Sequence, residues 1–481
     1  MTAIVLAAGE SSRFGGPKQL ASFGGRPVLQ GVLDTLASAG LRDVVVVLGA
    51  YAEAVEQGIA WRGERRVINP RPGDGLSSSV RLGLAAVAPE SAAALIVLGD
   101  QPTLEVDVIA ALLAADPGGG AVAVLPVYAA GGGANPVLLR RSGFTLAARV
   151  DGDQGLGRIL AEAPGVVRIE LPGGVPDIDS RDDLAALLEA SWAERVRENR
   201  DQVDRVREVP DGPDFYRSIS SLFRADPTRT DDAVLDRLLI DARPDETWLD
   251  VGAGAGRFAL PIARRVRQVV AVDPSERMLA ALHEIALEHG IGNVRSILAR
   301  WPMAGAPTAD VVLIAHVGYD IEAIGPFVGA LEAAAGRRCL AVLMERQPAS
   351  TIDPLWPIVH AEARVPLPAL PEFIELLAAR GRAASVTYLP RPAARYGTFD
   401  EVLAFARRQT WVAEGGAKDQ RLVAALHERA FETAEGWTLP VPDMRIGIVG
   451  WTPAHDAAGA DRPEATQAQL GTAVGNGGHR A

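Results

Sequence analysis

The chain has 481 residues, 48% of them apolar and 22% charged, which suits two or three globular domains and excludes a disordered or fibrous protein. Its net charge of −12 argues against a general nucleic-acid or anionic-membrane binder. A single cysteine, Cys339, permits no internal disulfide and fits a reducing, cytoplasmic setting.

The first residues lack a basic leader and reach Gly9 after one short apolar run, so no secretory signal is expected. Arg, Asp or Pro interrupts every approach to the roughly 20 apolar residues that a bilayer span needs, so no membrane partner is expected. Strand-like runs at 3–8, 43–49, 65–69, 93–100 and 120–127 alternate with helix-like segments at 27–40, 77–88 and 105–115. Strands apolar on both faces, separated by helices, predict a mainly parallel sheet covered on both sides. Near residue 190 the texture turns charged and helical, and 191–245 reads as a lead-in to a second alternating series at 247–254, 269–275, 293–298, 309–316 and 337–345. The fold class is therefore α/β, with two doubly wound three-layer domains at 1–190 and 246–454, a helical connector, and a disordered tail at 455–481.

The first chemical signal is "LAAGESSRFGGPKQL" at 6–20, where a strand breaks into small residues followed by Arg13 and Lys18. Bare backbone N–H groups in such a turn approach an anion closely, and the two cations suit phosphates; the competing reading is a solvated surface turn. The Walker A pattern does not apply, because Pro17 precedes Lys18 and Gln19 follows it. Nearly every other cation is arginine, Lys418 being the only other lysine, so a compact point charge at this loop's end points to a phosphate. Asp100 ends an apolar strand, where open α/β sheets place ligands and metals; its other reading is a turn or N-cap residue before Pro102.

This stretch resembles the L-A-A-G-x-S-x-R-x-G-x-P-K signature of nucleotidyltransferases related to the molybdenum cofactor cytidylyl- and guanylyltransferases. The resemblance continues through "VINPRPGDGLSSSVRLGL" at 67–84, "VLGDQP" at 97–102, "GGGANPVLL" at 131–139, "DGDQGLGRIL" at 151–160 and "DIDSRDDL" at 177–184. It implies a nucleotide site of Leu6, Ala7, Ala8, Gly9, Arg13, Lys18, Asn69, Gly75 and Ser79. Arg13, Lys18 and Asp100 would be catalytic, and Asp100 and Asp179 would hold Mg²⁺, with Asp177 the competitor of Asp179. Ala8 and Pro17 match the cytidylyl branch, which implies CTP, and the acceptor implied is the terminal phosphate of molybdopterin or its molybdenum-loaded form. Transient contact with a molybdoenzyme or a molybdenum-insertion factor is a further implication. Sugar-phosphate nucleotidyltransferases share the chemistry but place more residues between the arginine and the Pro-Lys, and another phosphorylated acceptor is the alternative.

The second signal is "TWLDVGAGAGRFALPIARRVRQVVAVDPSERML" at 247–279. Asp250 points a carboxylate to where a dinucleotide fold would place pyrophosphate, so the ligand is cationic or phosphate-free. S-adenosylmethionine meets both conditions. Asp273 stands 21 positions after Gly252, at the place of a ribose-binding acid; the competing reading of the glycines is close helix–strand packing. The segment resembles motif I and the second-strand acid of class I S-adenosylmethionine-dependent methyltransferases, which implies a cofactor site of Asp250, Gly252, Gly254, Gly256, Asp273, Trp301 and His316. Trp301 stands in for an acid that this sequence replaces by Ala299 and Arg300, and His316 and Tyr319 lie on the substrate-facing loop. Trp356, His360, Trp411 and Trp437 either line an acceptor cavity or pack the C-terminal insertion. The expectation is a bifunctional transferase acting on small molecules; the alternative for the second domain is an S-adenosylmethionine sensor without turnover.

Overall fold

The computed structural model describes residues 1–115, 121–147, 149, 152, 156–210, 224–391, 393–440 and 443–454. The expected tail at 455–481, residues 151 and 153–155 of the motif at 151–160, and part of the lead-in at 191–245 lie outside the described residues.

Seven strands form the first sheet: β1 (Thr2–Ala7), β2 (Val44–Leu48), β3 (Arg65–Ile68), β4 (Ala93–Leu98), β5 (Ala123–Tyr128), β6 (Val137–Arg140) and β7 (Val166–Leu171). Their order is β3-β2-β1-β4-β6-β5-β7, and β6 runs antiparallel to both neighbours while the other pairings are parallel. Every residue of β1 and β2 is buried, as expected of central strands whose two faces are both covered. Helices α1 (Val28–Ser38) and α2 (Leu76–Ala85) cover the two faces, α1 through Leu29, Val32, Leu33 and Leu36 and α2 through Val80. The strand order reverses between β1 and β4, which opens a crevice beyond their C-terminal ends.

Helix α3 (Arg181–Val206) leaves this sheet and runs unbroken through the expected junction at residue 190. Leu184, Leu188, Trp192 and Val196 recur every fourth position, so they form one stripe. That stripe is buried with residues of α5 (Ile324–Ala334) and α6 (Leu370–Ala379), once α4 (Glu276–Glu288) has been passed in the chain. Polar pins reinforce the contact. Trp192 Nε1 donates to the Ile321 carbonyl at 3.0 Å, Gln202 Nε2 donates to the Ala363 carbonyl at 2.7 Å, and Gln202 Oε1 accepts from Val365 N–H at 2.8 Å. Gly325 of α5 lies so close that a Cβ there would overlap the Glu189 carboxylate of α3. At the far end, Lys418 Nζ donates to the Val206 carbonyl at 2.6 Å.

The second sheet contains β8 (Thr247–Val251), β9 (Gln268–Asp273), β10 (Val294–Leu298), β11 (Ala309–Ala315), β12 (Ala335–Met344), β13 (Ser385–Pro390) and β14 (Arg445–Trp451). Its order is β10-β9-β8-β11-β12-β14-β13, with only β14 antiparallel to its neighbours among the described strands. Between β13 and β14 the chain forms an insertion, with helix α7 (Phe399–Thr410) and helix α8 (Ala417–Arg429), packed around Val402, Ala406, Leu422 and Leu426. The four aromatic residues flagged above serve this packing. Trp356 is fully buried under the Arg364 guanidinium, His360 meets the Thr410 carbonyl, Trp411 caps α7 and Trp437 stacks edge-on against Phe399.

A second contact joins the two halves. Glu375 on α6 accepts hydrogen bonds from Ser22 Oγ and from the backbone N–H groups of Gly25 (2.7 Å) and Gly24 (3.1 Å), in the short hairpin of the first domain. No helix among the described residues is long and apolar enough to cross a membrane.

Truncating Trp192 to alanine removes a large buried side chain and leaves the Ile321 carbonyl unpaired. Trp192→Ala is expected to destabilise the chain by about 3–5 kcal/mol, read as a lowered urea midpoint for the transition that includes α3.

Candidate functional sites

The first site gathers at the crevice between β1 and β4. The loop after β1 is held open by its neighbours: Gln19 Nε2 donates to the Ala7 carbonyl at 3.0 Å, and Gly99 N–H donates to the Leu6 carbonyl at 2.9 Å. A Cβ on Gly49, at the end of β2, would stand 2.3 Å from the Ala8 carbonyl oxygen, so only glycine lets β2 pass this close. Lys18 Nζ reaches both carboxylates, Asp100 Oδ2 at 2.6 Å and Asp179 Oδ1 at 3.0 Å. Arg13 Nη2 meets Asp179 Oδ2 at 2.8 Å from the solvent side. Burial opposes the charge on Lys18, but Asp100 and Asp179 outweigh it and hold the ammonium above its ordinary range. Burial pushes the Asp100 carboxyl up against the pull of Lys18, and its Oδ1 is buried with no partner. Asp177 lies within electrostatic reach of Asp100, Asp179 and Lys18 but forms no ion pair with Lys18, accepting instead from Gln101 Nε2 at 2.6 Å.

Across the crevice, Asn69 is buried after β3 and its amide donates to Ser78 Oγ (2.8 Å) and Ser79 Oγ (3.0 Å). Gly75 has φ +88° where the chain turns into α2, a conformation that favours glycine. Asn69, Gly75 and Ser79 thus assemble at the N-terminal end of α2, whose first N–H groups carry no side-chain cap.

The second site lies beyond β8 and β9. Gly252, Gly254 and Gly256 all have positive φ, and a Cβ on Gly252 would stand 2.4 Å from Val317 Cγ2. Asp273 accepts from Gly254 N–H and Ser275 N–H, both at 2.8 Å, and so ties the glycine turn to the end of β9. Asp250 is buried, and burial together with Asp273 pushes its carboxyl up to about 7; its Oδ1 has no partner. His316 follows β11 with φ +58°, and burial lowers its imidazole to about 4, so it is neutral at physiological pH with Nδ1 unpartnered. Tyr319 Oη accepts from Met344 N–H at 2.7 Å. Trp301 is buried in the core that α3 shares, its indole N–H without a partner.

Residues 3–167 match the model of the MobA-like NTP transferase domain, and residues 249–325 match a methyltransferase domain model. The chain joins a MobA-like NTP transferase domain to a methyltransferase domain. Nicotine blue oxidoreductase of Paenarthrobacter nicotinovorans is 37% identical over 114 residues, 24% of this chain and 55% of that protein. A 23S rRNA uracil C5-methyltransferase of Xanthomonas campestris is 42% identical over 57 residues, 12% of this chain and 13% of that protein. The chain therefore spans at most about half the length of these curated relatives. Among solved structures, Rv0371c of Mycobacterium tuberculosis H37Rv is 33% identical over 39% of this chain and 97% of that one, with a TM-score of 0.36.

In the NTP transferase domain, the residues singled out from sequence come together: Lys18 with Asp100 and Asp179, and Asn69 with Ser79. Lys18 is paired with carboxylates rather than standing free for an anion. In the methyltransferase domain, Asp250, Asp273 and the three glycines share one turn, whereas Trp301 joins the core. Gln19, Gly49 and Gln101 escaped the sequence reading, because each acts through a contact distant in the chain. The one available signal was Gly49 at the end of a valine strand pairing beside the loop.

Gly49→Ala forces the Ala8 carbonyl to move. It is expected to weaken nucleotide binding by the NTP transferase domain roughly tenfold while leaving the methyltransferase domain's unfolding unchanged, measured by calorimetric titration and by scanning calorimetry.

Proposed function

We propose that the first domain transfers CMP from CTP to a phosphorylated acceptor of the molybdopterin type, and that the second transfers a methyl group from S-adenosylmethionine. The observation that carries the first half is Lys18 Nζ held between Asp100 and Asp179 at the strand ends. Two carboxylates that already converge on one cation, one with an orphaned buried oxygen, fit Mg²⁺, which commonly takes one or two carboxylates and completes its shell with water and phosphate. Asp100 and Asp179 would hold the ion, which supplies charge neutralisation on the triphosphate. Lys18 and Arg13 exchange carboxylate partners for phosphate oxygens when the nucleotide enters, and so position the α-phosphate for the acceptor. Ala8 and Pro17 favour CTP through the family resemblance, and the matches to the family models support transferase activity.

In the second domain the orphaned Asp250 oxygen and the open glycine turn fit S-adenosylmethionine, which supplies an electrophilic methyl group. Asp250 balances its positive charge. Asp273, which accepts two backbone N–H groups, stands at the end of β9, where a ribose-binding acid is placed in such sheets. His316 follows β11 on the same edge and, neutral, leaves Nδ1 unpartnered for a ligand hydrogen bond.

Pyrophosphate release from CTP on adding molybdopterin is expected for the wild type and nearly lost in Asp100→Ala; retained release in the variant would overturn the metal assignment. CTP should bind more tightly than GTP or ATP in the presence of Mg²⁺.

A pH dependence follows from Asp250. Its folded-state pKa is raised, so between the usual 3.8 and about 7 the folded chain holds a proton that the unfolded chain has lost. Stability of the ligand-free protein therefore falls as pH rises through this window. A cationic ligand favours the ionised carboxylate, so affinity for S-adenosylmethionine should rise between pH 6 and pH 7.5 (roughly the flank of that titration) with proton release. Titration calorimetry in two buffers of different ionisation enthalpy measures this, and Asp250→Asn should abolish the pH slope.

A further inference from the structure

The C-terminal edge of the second sheet carries charges that the proposed cofactor site does not use. Strand register pairs Ala315 with Val342, Met344 with Ile446 and Pro390 with Arg445. The loop bearing His316 and Tyr319, the end of β12, and Arg391 just past β13 therefore emerge together on the edge where open α/β sheets bind ligands. Arg391 N–H donates to the Met444 carbonyl at 2.8 Å, and its Nη1 lies 3.9 Å from Met444 Sδ, a soft contact rather than an ion pair. The insertion packs above this edge. Tyr396 is tied by its backbone to Trp437, with its ring 5.4 Å from Phe405, and Arg408 of α7 lies over that same Phe405 ring at 5.8 Å. Tyr396 is within electrostatic reach of both guanidiniums, and Arg391 also acts on Tyr319 and His316.

Other partly buried arginines of this domain have carboxylate partners: Arg364 has Asp353, Arg382 has Glu332 and Arg407 has Asp419. Arg391 and Arg408 form no ion pair among the described residues, and Arg408 Nε is buried without any hydrogen-bond partner. Burial pushes both below the ordinary guanidinium range. The carboxylate that acts on His316, Asp232, is already shared by Arg229 and Arg257. Two half-buried cations without an anion carry a desolvation cost, which is offset when an oxyanion arrives. The planar guanidinium fork matches a carboxylate or a phosphate.

We propose that Arg391 and Arg408, both near Tyr396 at the C-terminal edge of the second sheet, form an oxyanion subsite, so that the methyl acceptor carries a carboxylate or phosphate group. This rests on the methyltransferase reading above. The test is titration calorimetry of the full chain with inorganic phosphate and, separately, with benzoate, comparing wild type with Arg391→Gln, Arg408→Gln and the corresponding lysine variants. One anion site should weaken about tenfold or more in each glutamine variant and recover in part in the lysine variants; the anion bound more tightly identifies the acceptor's group. Wild-type affinity for both anions in the glutamine variants, or no anion binding by the wild type, overturns the proposal. S-adenosylmethionine is titrated into the same samples. Unchanged affinity there shows that the variants are folded, and failure of the wild type to bind it refutes the methyltransferase reading independently of the anion result.

Discussion

The carboxylate of Asp183 holds the molecule's two halves in relation. It accepts hydrogen bonds from Asp179 N–H (3.1 Å), Ser180 N–H (2.7 Å) and Ser180 Oγ (2.8 Å), while Asp183 N–H donates back to Ser180 Oγ (3.2 Å). This reciprocal cap fixes where α3 begins. One residue before it, Asp179 is thereby presented to Lys18 and Arg13; just after it, Leu184 enters the core shared with α5 and α6. Those hydrogen bonds hold the Asp183 carboxyl below its ordinary range. A single helix start thus positions a carboxylate of one site and aims the helix that docks on the other domain.

The Glu375 clasp adds a second tie on the same side. It grips the hairpin that follows Lys18, and Arg181, the first residue of α3, stacks over Phe14 in the preceding loop and donates to the Ala378 carbonyl at 3.3 Å. Between these ties lies a cavity of about 250 Å³ lined by Phe14, Gly16, Pro17 and Leu184. The loop that carries Lys18 is therefore backed by elements of the second domain.

Both domains use a glycine-rich turn at a strand end, with opposite electrostatics. In the first, Arg13 and Lys18 surround two carboxylates, an arrangement we assign above to a polyanion with its metal. In the second, Asp250 carries a buried oxygen without a partner, which we assign above to a cationic ligand. This contrast was legible in the sequence, because the charges lie within a few residues of their turns. The alternating strands and helices were legible as well, since doubly covered strands must be apolar throughout. Strand β6 was not recognised: its four residues carry no periodicity, and it belongs to the sheet only because β4 and β5 accept it antiparallel. Helix α3 was divided at residue 190 because its composition turns charged there, although its buried stripe continues through Trp192 and Val196.

By itself, the sequence determined which residue types stand at the strand ends, and hence the sign of the charge that each turn awaits. Only the tertiary structure decided that Asp179 rather than Asp177 meets Lys18, because the choice depends on Gln101 taking Asp177 and on the cap that orients Asp179. It also decided that Trp301 belongs to the core and that Arg391 and Arg408 stand without carboxylates. Such outcomes rest on pairings across tens to hundreds of residues, and short-range spacing in a single chain does not encode which distant partner arrives.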